Sequence, residues 1–399
     1  MSTDHMWSFV DELRRKLEDD DRINKLVATP TTLINDEAVI LTESATRDNT
    51  LGKIESKILE ICRGLSNGEP PSLTYDSRST WDNIMFEDHT GIEMISGSNC
   101  TTVKFDAIAS VNKLATTLKV LSIIYRLVQS DTFSTKRDIF YQNVGAFGRQ
   151  SVVDEVVNNI SCMLKVPRWQ LHVLATSKGC IAGNLRFTEE DGSSTNCSLS
   201  SVGVMVPMHV QGLKDMYTDA RFVLVVEKDA TFQKLMEEDI CNKLGPCIVI
   251  TGKGFPDMNT RLMVRKIWEI FHLPSFALVD ADPHGMEIMC NYKFGSKSLS
   301  FEAPSLTVPT MRWVGVLPSD IQQLHIPEES LISLSTLDIR KAQELLSRPF
   351  FSSQLQWKKE LQLMLDSGYK GEIQCLTSLS PNYLTEVYLP NKLRYGEWL

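Results

Sequence analysis

Apolar residues fall into two different rhythms along this chain. In its second half, residues 222–226, 247–251 and 276–280 are short continuous apolar runs bounded by polar residues, the pattern of strands buried on both faces of a parallel sheet. Helical spacing near 230–243 and 259–272 predicts crossover helices, so the region from about Val202 onward reads as alternating strands and helices. Further helices are predicted at Leu337–Leu346 and Ser353–Leu365, before an aromatic-rich end from Tyr383 to Trp398. The first half has the helical rhythm instead. A charged helix is predicted over Met6–Val27, and Leu51–Leu65 sets Ile54, Ile58, Leu59 and Cys62 on one stripe until Asn67-Gly-Glu-Pro-Pro71 stops it. That stripe must bury itself against either the parent domain or a partner.

From Lys104 the pattern changes. Ala107–Ser130 predicts a strongly apolar helix, Thr132-Phe-Ser-Thr135 the cap of a second beginning at Lys136, and Ser151–Leu164 a third. Leu171-His-Val-Leu-Ala175 and Gly183-Asn-Leu-Arg-Phe187 then predict two short strands paired as a ribbon. Three helices followed by a ribbon is the order of a winged helix, a unit that sets a recognition helix and a wing on a DNA duplex. The polar run Thr188–Asn196 is expected to be a mobile tip.

Composition narrows the class. The 399 residues suffice for two or three domains, and 42% hydrophobic with 23% charged residues is ordinary for a soluble protein. No apolar stretch approaches the roughly 20 residues of a membrane helix, and the N-terminus lacks the basic and apolar regions of a signal peptide. A cytosolic or nuclear protein without membrane contact is expected. The nine cysteines are scattered, with no Cys-x-x-Cys pair, so they read as reduced, mostly buried thiols with no zinc implied. The net charge of −9 argues against nucleic acid until its distribution is read. Residues 1–103 carry a net −9 and the remainder after 188 a net −6, but residues 104–188 carry +6. One basic segment in an acidic chain is either a phosphate-binding face or an ordinary solvated one.

Two groups of residues carry candidate chemistry. Glu227 follows one predicted strand, and Asp280 and Asp282 end another. In an open α/β sheet, ligands bind at the carboxyl ends of strands, so these acids could make an all-oxygen site suited to Mg²⁺. The alternative is a set of solvated acids that cap helices. Arg137 and Tyr141 are four apart, on one face of the predicted second helix. A tyrosine so placed can attack a phosphodiester while the guanidinium holds the non-bridging oxygens; by itself such a pair is more often structural.

The runs Lys136-Arg-Asp-Ile-Phe-Tyr141, Ile160-Ser-Cys-Met-Leu-Lys165, Ser177-Lys-Gly-Cys-Ile-Ala-Gly-Asn184, Val226-Glu-Lys-Asp-Ala-Thr-Phe232, Thr251-Gly-Lys-Gly-Phe-Pro-Asp257, Asp280-Ala-Asp-Pro-His-Gly285 and Leu389-Pro-Asn-Lys-Leu393 stand in one order over residues 104–399. In them the chain resembles the A subunit of topoisomerase VI and its meiotic relatives, which make programmed DNA double-strand breaks, and the meiotic branch is much the nearer. The resemblance implies an α+β multidomain protein: an acidic arm over 1–103 with a partner-binding helix, a winged-helix domain of the catabolite-activator type over 104–201, and a toprim domain with a parallel sheet and a helical extension over 202–399. It implies Tyr141 as nucleophile, giving a 5′-phosphotyrosyl link, Arg137 as its assistant, and Glu227, Asp280 and Asp282 as ligands of Mg²⁺. The tyrosine of one copy would work against the metal site of another.

Many relatives carry two adjacent tyrosines where this chain has Phe140-Tyr141, which leaves Tyr141 alone with a hydroxyl. The resemblance further implies double-stranded DNA as substrate, with Lys178 near its backbone and Phe255 against the minor groove. An exposed turn lysine and a hydrophobic loop anchor are the plain alternatives. His284 is expected at a helix start or orienting a carboxylate. A topoisomerase VI B-like subunit, docking on Ile54 and Ile58, and meiotic accessory proteins are the expected partners, in the nucleus. Rival readings are the A subunit of a type IIB topoisomerase that also reseals DNA, a DNA-binding scaffold without cleavage, and a toprim nuclease or primase; the last leaves the Arg137–Tyr141 helix unexplained.

Overall fold

The computed structural model describes residues 7–19, 36–78, 80–95, 97 and 99–399. Its centre is a six-stranded mixed sheet whose order is Val204–Met205, Cys180–Gly183, Cys247–Thr251, Phe222–Val226, Ser275–Leu278, Arg312–Gly315. The last four strands are parallel, and the first two are joined antiparallel. The continuous apolar runs arise because both faces are covered. Val223, Val225, Ile248 and Ile250 face the helices Met258–Phe271 and Pro283–Lys293 through Met263, Ile267, Trp268 and Met286. Phe222, Leu224, Val226 and Val249 face the other way, toward Phe232 and Leu235 of the helix Asp229–Glu237 and toward Leu389 and Leu393 of the last helix. Each buried side chain of this size contributes about 1.5–3 kcal/mol, which makes the sheet the stable base of the molecule.

A second core belongs to a helical unit. Ile108–Ser130, Lys136–Tyr141, Val144–Phe147 and Gln150–Leu164 pack around Leu121, Ile124, Ile139, Val153, Val157 and Ile160. The predicted cap before Lys136 is a full capping box: the Thr135 hydroxyl accepts from the Asp138 N–H, and the Asp138 carboxylate accepts from the Thr135 N–H at 3.1 Å.

The two cores are pinned together. Glu302 Oε1 accepts from the Arg168 N–H at 2.9 Å and from Ser161 Oγ at 3.1 Å, both in or next to the helical unit. Arg78 reaches Asn159 Oδ1 at 2.7 Å and the Ser298 carbonyl at 3.0 Å.

Several expectations change. The ribbon of 171–175 with 183–187 is not formed. Val173–Leu174 pairs in parallel with Ser134–Thr135, and Cys180–Gly183 joins the central sheet beside Cys247–Thr251. The physical reason is burial: Cys180, Ile181 and Ala182 are apolar on both sides, which suits a covered sheet and not an exposed wing. The expected polar tip is a hairpin, with Arg186–Thr188 paired to Ser194–Asn196. The first helix spans Ser8–Glu18, and the rest of its predicted range, to Val27, lies outside the described residues apart from Trp7 and Asp19. It is no free arm, since Trp7 packs 5.7 Å from Phe222 and Val10 is fully buried. The arm also contains strands absent from the prediction, Ser72–Asp76 with Cys100–Lys104 and Ile84–Glu87 with Gly91–Met94. All nine cysteines are free thiols, six of them buried. Among the described residues no helix is long and apolar enough to cross a membrane.

Candidate active site

The carboxyl ends of the parallel strands carry the predicted acids. Glu227 immediately follows Phe222–Val226, and Asp280 stands two residues beyond Ser275–Leu278. Because these strands are neighbours in the sheet, their ends coincide, and the Asp280 N–H donates to Glu227 Oε2 at 2.9 Å. Asp282 caps the helix Pro283–Lys293, its Oδ1 accepting from the Gly285 N–H at 2.6 Å. That helix turns its positive end toward the acids. His284, the second residue of that helix, is exposed.

Burial dominates the electrostatics. Glu227 and Asp280 are 8% and 3% exposed. The Glu227 carboxyl is pushed up to about 8, first by loss of hydration and then by the charges of Asp280 and Asp282. Burial also raises Asp280, against the pull of Lys228 and the Ile373 N–H. Lys228 Nζ lies 2.8 Å from Asp280 Oδ2 and 3.1 Å from Glu372 Oε2. The other Asp280 oxygen accepts from the Ile373 N–H at 2.9 Å. These acids share one place on the sheet without forming a ready-made cage: among the described residues no three His, Cys, Asp or Glu side chains converge on one point. The donor set is nonetheless all oxygen, and a bound cation would favour the ionised form of carboxyls that burial holds up. A hard divalent cation fits that chemistry.

The same end of the sheet carries the two predicted DNA-contact residues. Asp257 caps the helix Met258–Phe271 through Oδ1, while its Oδ2 accepts from the N–H groups of Lys178 and Gly179 at 2.9 and 3.2 Å. Lys178 Nζ reaches the Lys253 carbonyl at 3.2 Å. The turn holding Lys253 is tied back to the acids, because the Gly254 N–H donates to the Glu227 carbonyl at 2.8 Å. Lys178 is exposed and Phe255, two residues after the Lys253 whose carbonyl Lys178 reaches, is 43% exposed.

Tyr141 is the last residue of the capped helix Lys136–Tyr141, in the helical unit. It is 70% exposed, with its ring 5.4 Å from that of Phe140. Arg137 is also exposed, and among the described residues no ion pair claims it. Among the described residues no hydrogen bond joins either one to Glu227, Asp280 or Asp282. On the Asp36–Ser66 helix, Ile54 is 2% exposed and packs in the helical core, so its place in a docking surface is a correction; the parent domain claims it. Ile58 is 39% exposed and remains outward, near Leu59 and Leu65.

The sequence reading missed Lys228, Glu372, Ile373 and Asp257. Lys228 and Asp257 stood in runs already noted for their resemblance. Glu372 and Ile373 carried no signal, since only the fold brings them to strand ends some 90 to 145 residues away.

Comparison with known proteins gives two family matches. Residues 222–393 match the Toprim-domain family of the topoisomerase 6 A subunit and Spo11, and residues 112–173 match type IIB DNA topoisomerase. The chain is 54% identical over 357 residues to the human protein named meiotic recombination protein SPO11, covering 89% of this chain and 90% of that one. Its mouse counterpart is 54% identical over 358 residues, covering 90% of each. The A subunit of DNA topoisomerase 6 from Arabidopsis thaliana is 36% identical over 348 residues, covering 87% of this chain and 81% of its own.

Proposed function

We propose, from the premise that this chain belongs to the family of Spo11 and the topoisomerase 6 A subunit, that it is the DNA-cleaving transesterase that makes double-strand breaks for meiotic recombination in the nucleus. The observation that carries the reading is Tyr141: an exposed phenol at the end of a capped helix, with the exposed Arg137 guanidinium one turn before it.

Tyr141 Oη attacks a backbone phosphorus, the P–O3′ bond breaks, and the 3′ oxygen leaves with a proton as a free hydroxyl. The 5′ phosphate stays on the tyrosine, so no water enters and the product is a protein-capped end. Arg137 neutralises charge on the non-bridging oxygens as the phosphorus becomes five-coordinate. The helical unit, read as a winged helix, lays the Lys136–Tyr141 helix on the duplex. Lys178 holds the backbone and Phe255 rests against the minor groove.

Glu227, Asp280 and Asp282 are read as the toprim acids that would hold Mg²⁺, which when bound offers a positive charge to phosphate oxygens. They end strands of the central sheet while Tyr141 belongs to the helical unit, and among the described residues no hydrogen bond joins them, which supports a site composed from two copies: the tyrosine of one against the acids of the other. Two copies cut the two strands. No resealing is assigned to this chain alone, and a B-like subunit is expected on the face of the Asp36–Ser66 helix that presents Ile58, with meiotic accessory proteins around the assembly.

The test is covalent capture in meiotic cells. Tagged protein is immunoprecipitated under denaturing conditions and attached DNA is end-labelled. Labelled oligonucleotides on the wild type and none on Tyr141→Phe are expected. Equal signal on both excludes Tyr141, and absence from both while breaks still form supports a scaffold without cleavage.

A further inference from the structure

The acids at the sheet end already have a cation on them, and it is part of the chain. Each Asp280 oxygen already has a partner: Oδ1 takes the Ile373 N–H and Oδ2 takes Lys228 Nζ. A metal ion arriving at Asp280 Oδ2 meets the positive charge of that ammonium, and like-charge repulsion favours its displacement. Lys228 has somewhere to go. Its Nζ is already 3.1 Å from Glu372 Oε2, whose side chain is 51% exposed while that of Asp280 is 5% exposed.

The place it would go to is held still by backbone. Ala281 and Gly371 exchange hydrogen bonds, at 2.8 and 3.1 Å, and Ile373 grips Asp280 on the far side of Glu372. Glu372 is therefore clamped to the Asp280 segment, and Lys228 is clamped too, as the residue that starts the helix Asp229–Glu237. Only the lysine side chain has to move. We infer that Lys228 is a tethered counter-cation, which occupies the metal position on Asp280 when no ion is bound and passes wholly to Glu372 when one arrives.

This inference rests on the proposed metal site and adds two positioning residues to it, Lys228 and Glu372. Neither is a ligand. The lysine competes with the ion, and Glu372 acts only by taking the lysine away. The device gives the buried Asp280 a counter-charge in the metal-free protein, and it sets metal affinity by exchange instead of by simple attraction.

The two roles predict opposite effects that do not add. Calorimetric titration of Mn²⁺ into the purified full chain would compare wild type, Lys228→Met, Glu372→Gln and the double variant, with circular dichroism to check folding. Lys228→Met should bind Mn²⁺ roughly tenfold more tightly, the size expected for losing one partly buried competing charge. Its metal-free melting temperature should fall, and added Mn²⁺ should raise it more than in the wild type. Glu372→Gln should bind more weakly, since Lys228 has lost its alternative seat. The double variant should match Lys228→Met, because Glu372 has nothing left to act on. Effects that multiply in the double variant would make Glu372 a direct contributor and overturn the inference, as would unchanged or weaker binding by Lys228→Met. If the wild type and all variants bind no Mn²⁺, the metal site itself fails and this exchange with it.

Discussion

A side chain at position 285 has no room. A Cβ on Gly285 would lie 2.4 Å from the Asp280 carbonyl oxygen and 3.0 Å from Glu227 Oε2. The glycine is what lets the Pro283–Lys293 helix begin directly against both acids. Gly285→Ala is expected to lower stability by about 1–3 kcal/mol through overpacking, read by urea unfolding, and to abolish covalent capture; an unchanged midpoint would mean that the helix start yields. Lys293 offers a second test. It is buried, its Nζ donates to the Pro309 and Met311 carbonyls at 2.6 and 2.8 Å, and burial, with Arg312 nearby, pulls its amine down to about 7. The folded pKa lies below that of the unfolded chain, about 10.4, so the folded state binds fewer protons between those values and stability rises with pH there. Relative to Lys293→Met, the wild type should lose stability from pH 10 down to pH 7, with the difference levelling off below. Lys293→Met should lack that slope, and parallel profiles from urea melts would refute the assignment.

At the scale of elements, the Asp36–Ser66 helix divides its two candidate docking residues. Ile54 is in the core and Ile58 is at the surface, one turn on. Ile54→Asp buries an unpaired charge and is expected to destabilise the helical unit by at least about 3 kcal/mol. Ile58→Asp should leave the melting temperature within a degree or two while removing co-purification of a B-like subunit; retained co-purification would move the docking face elsewhere. The stripe was legible in the sequence, but its division was not, because which turn meets Leu121 and Ile160 is set by packing partners over 60 residues away. The parallel strands were legible because burial on both faces leaves no polar alternation. That same composition misled at Cys180–Gly183, whose apolar residues belong to the larger sheet and not to a ribbon with 171–175. Glu227, Asp280 and Asp282 could be found because strand ends follow strands. Lys228's engagement with Glu372 could not, since it depends on how Gly371 pairs with Ala281.

For the whole molecule, the feature with the largest consequence is that Tyr141 belongs to the helical unit and the acids to the end of the central sheet. Hydrogen bonds of Glu302 and Arg78 tie these two units together, and a second copy is the proposed way to complete the site. Mixing Tyr141→Phe copies with Glu227→Gln copies tests this. One composite site in the mixed pair keeps both its tyrosine and its acids, and the other has neither. Single-strand nicks are therefore expected, with few double-strand breaks, in meiotic cells expressing both forms; no cleavage at all would place both halves of the site in one chain.

The most direct measurement is the chemical identity of the protein–DNA link. Captured protein would be digested with nuclease and protease, and the nucleotide-bearing peptide sequenced by mass spectrometry. The account predicts one adduct, a 5′-phosphate ester on the hydroxyl of Tyr141, paired with 3′-hydroxyl ends on the broken DNA. An adduct on another residue, or breaks that carry free 5′ phosphates and no peptide, would contradict it.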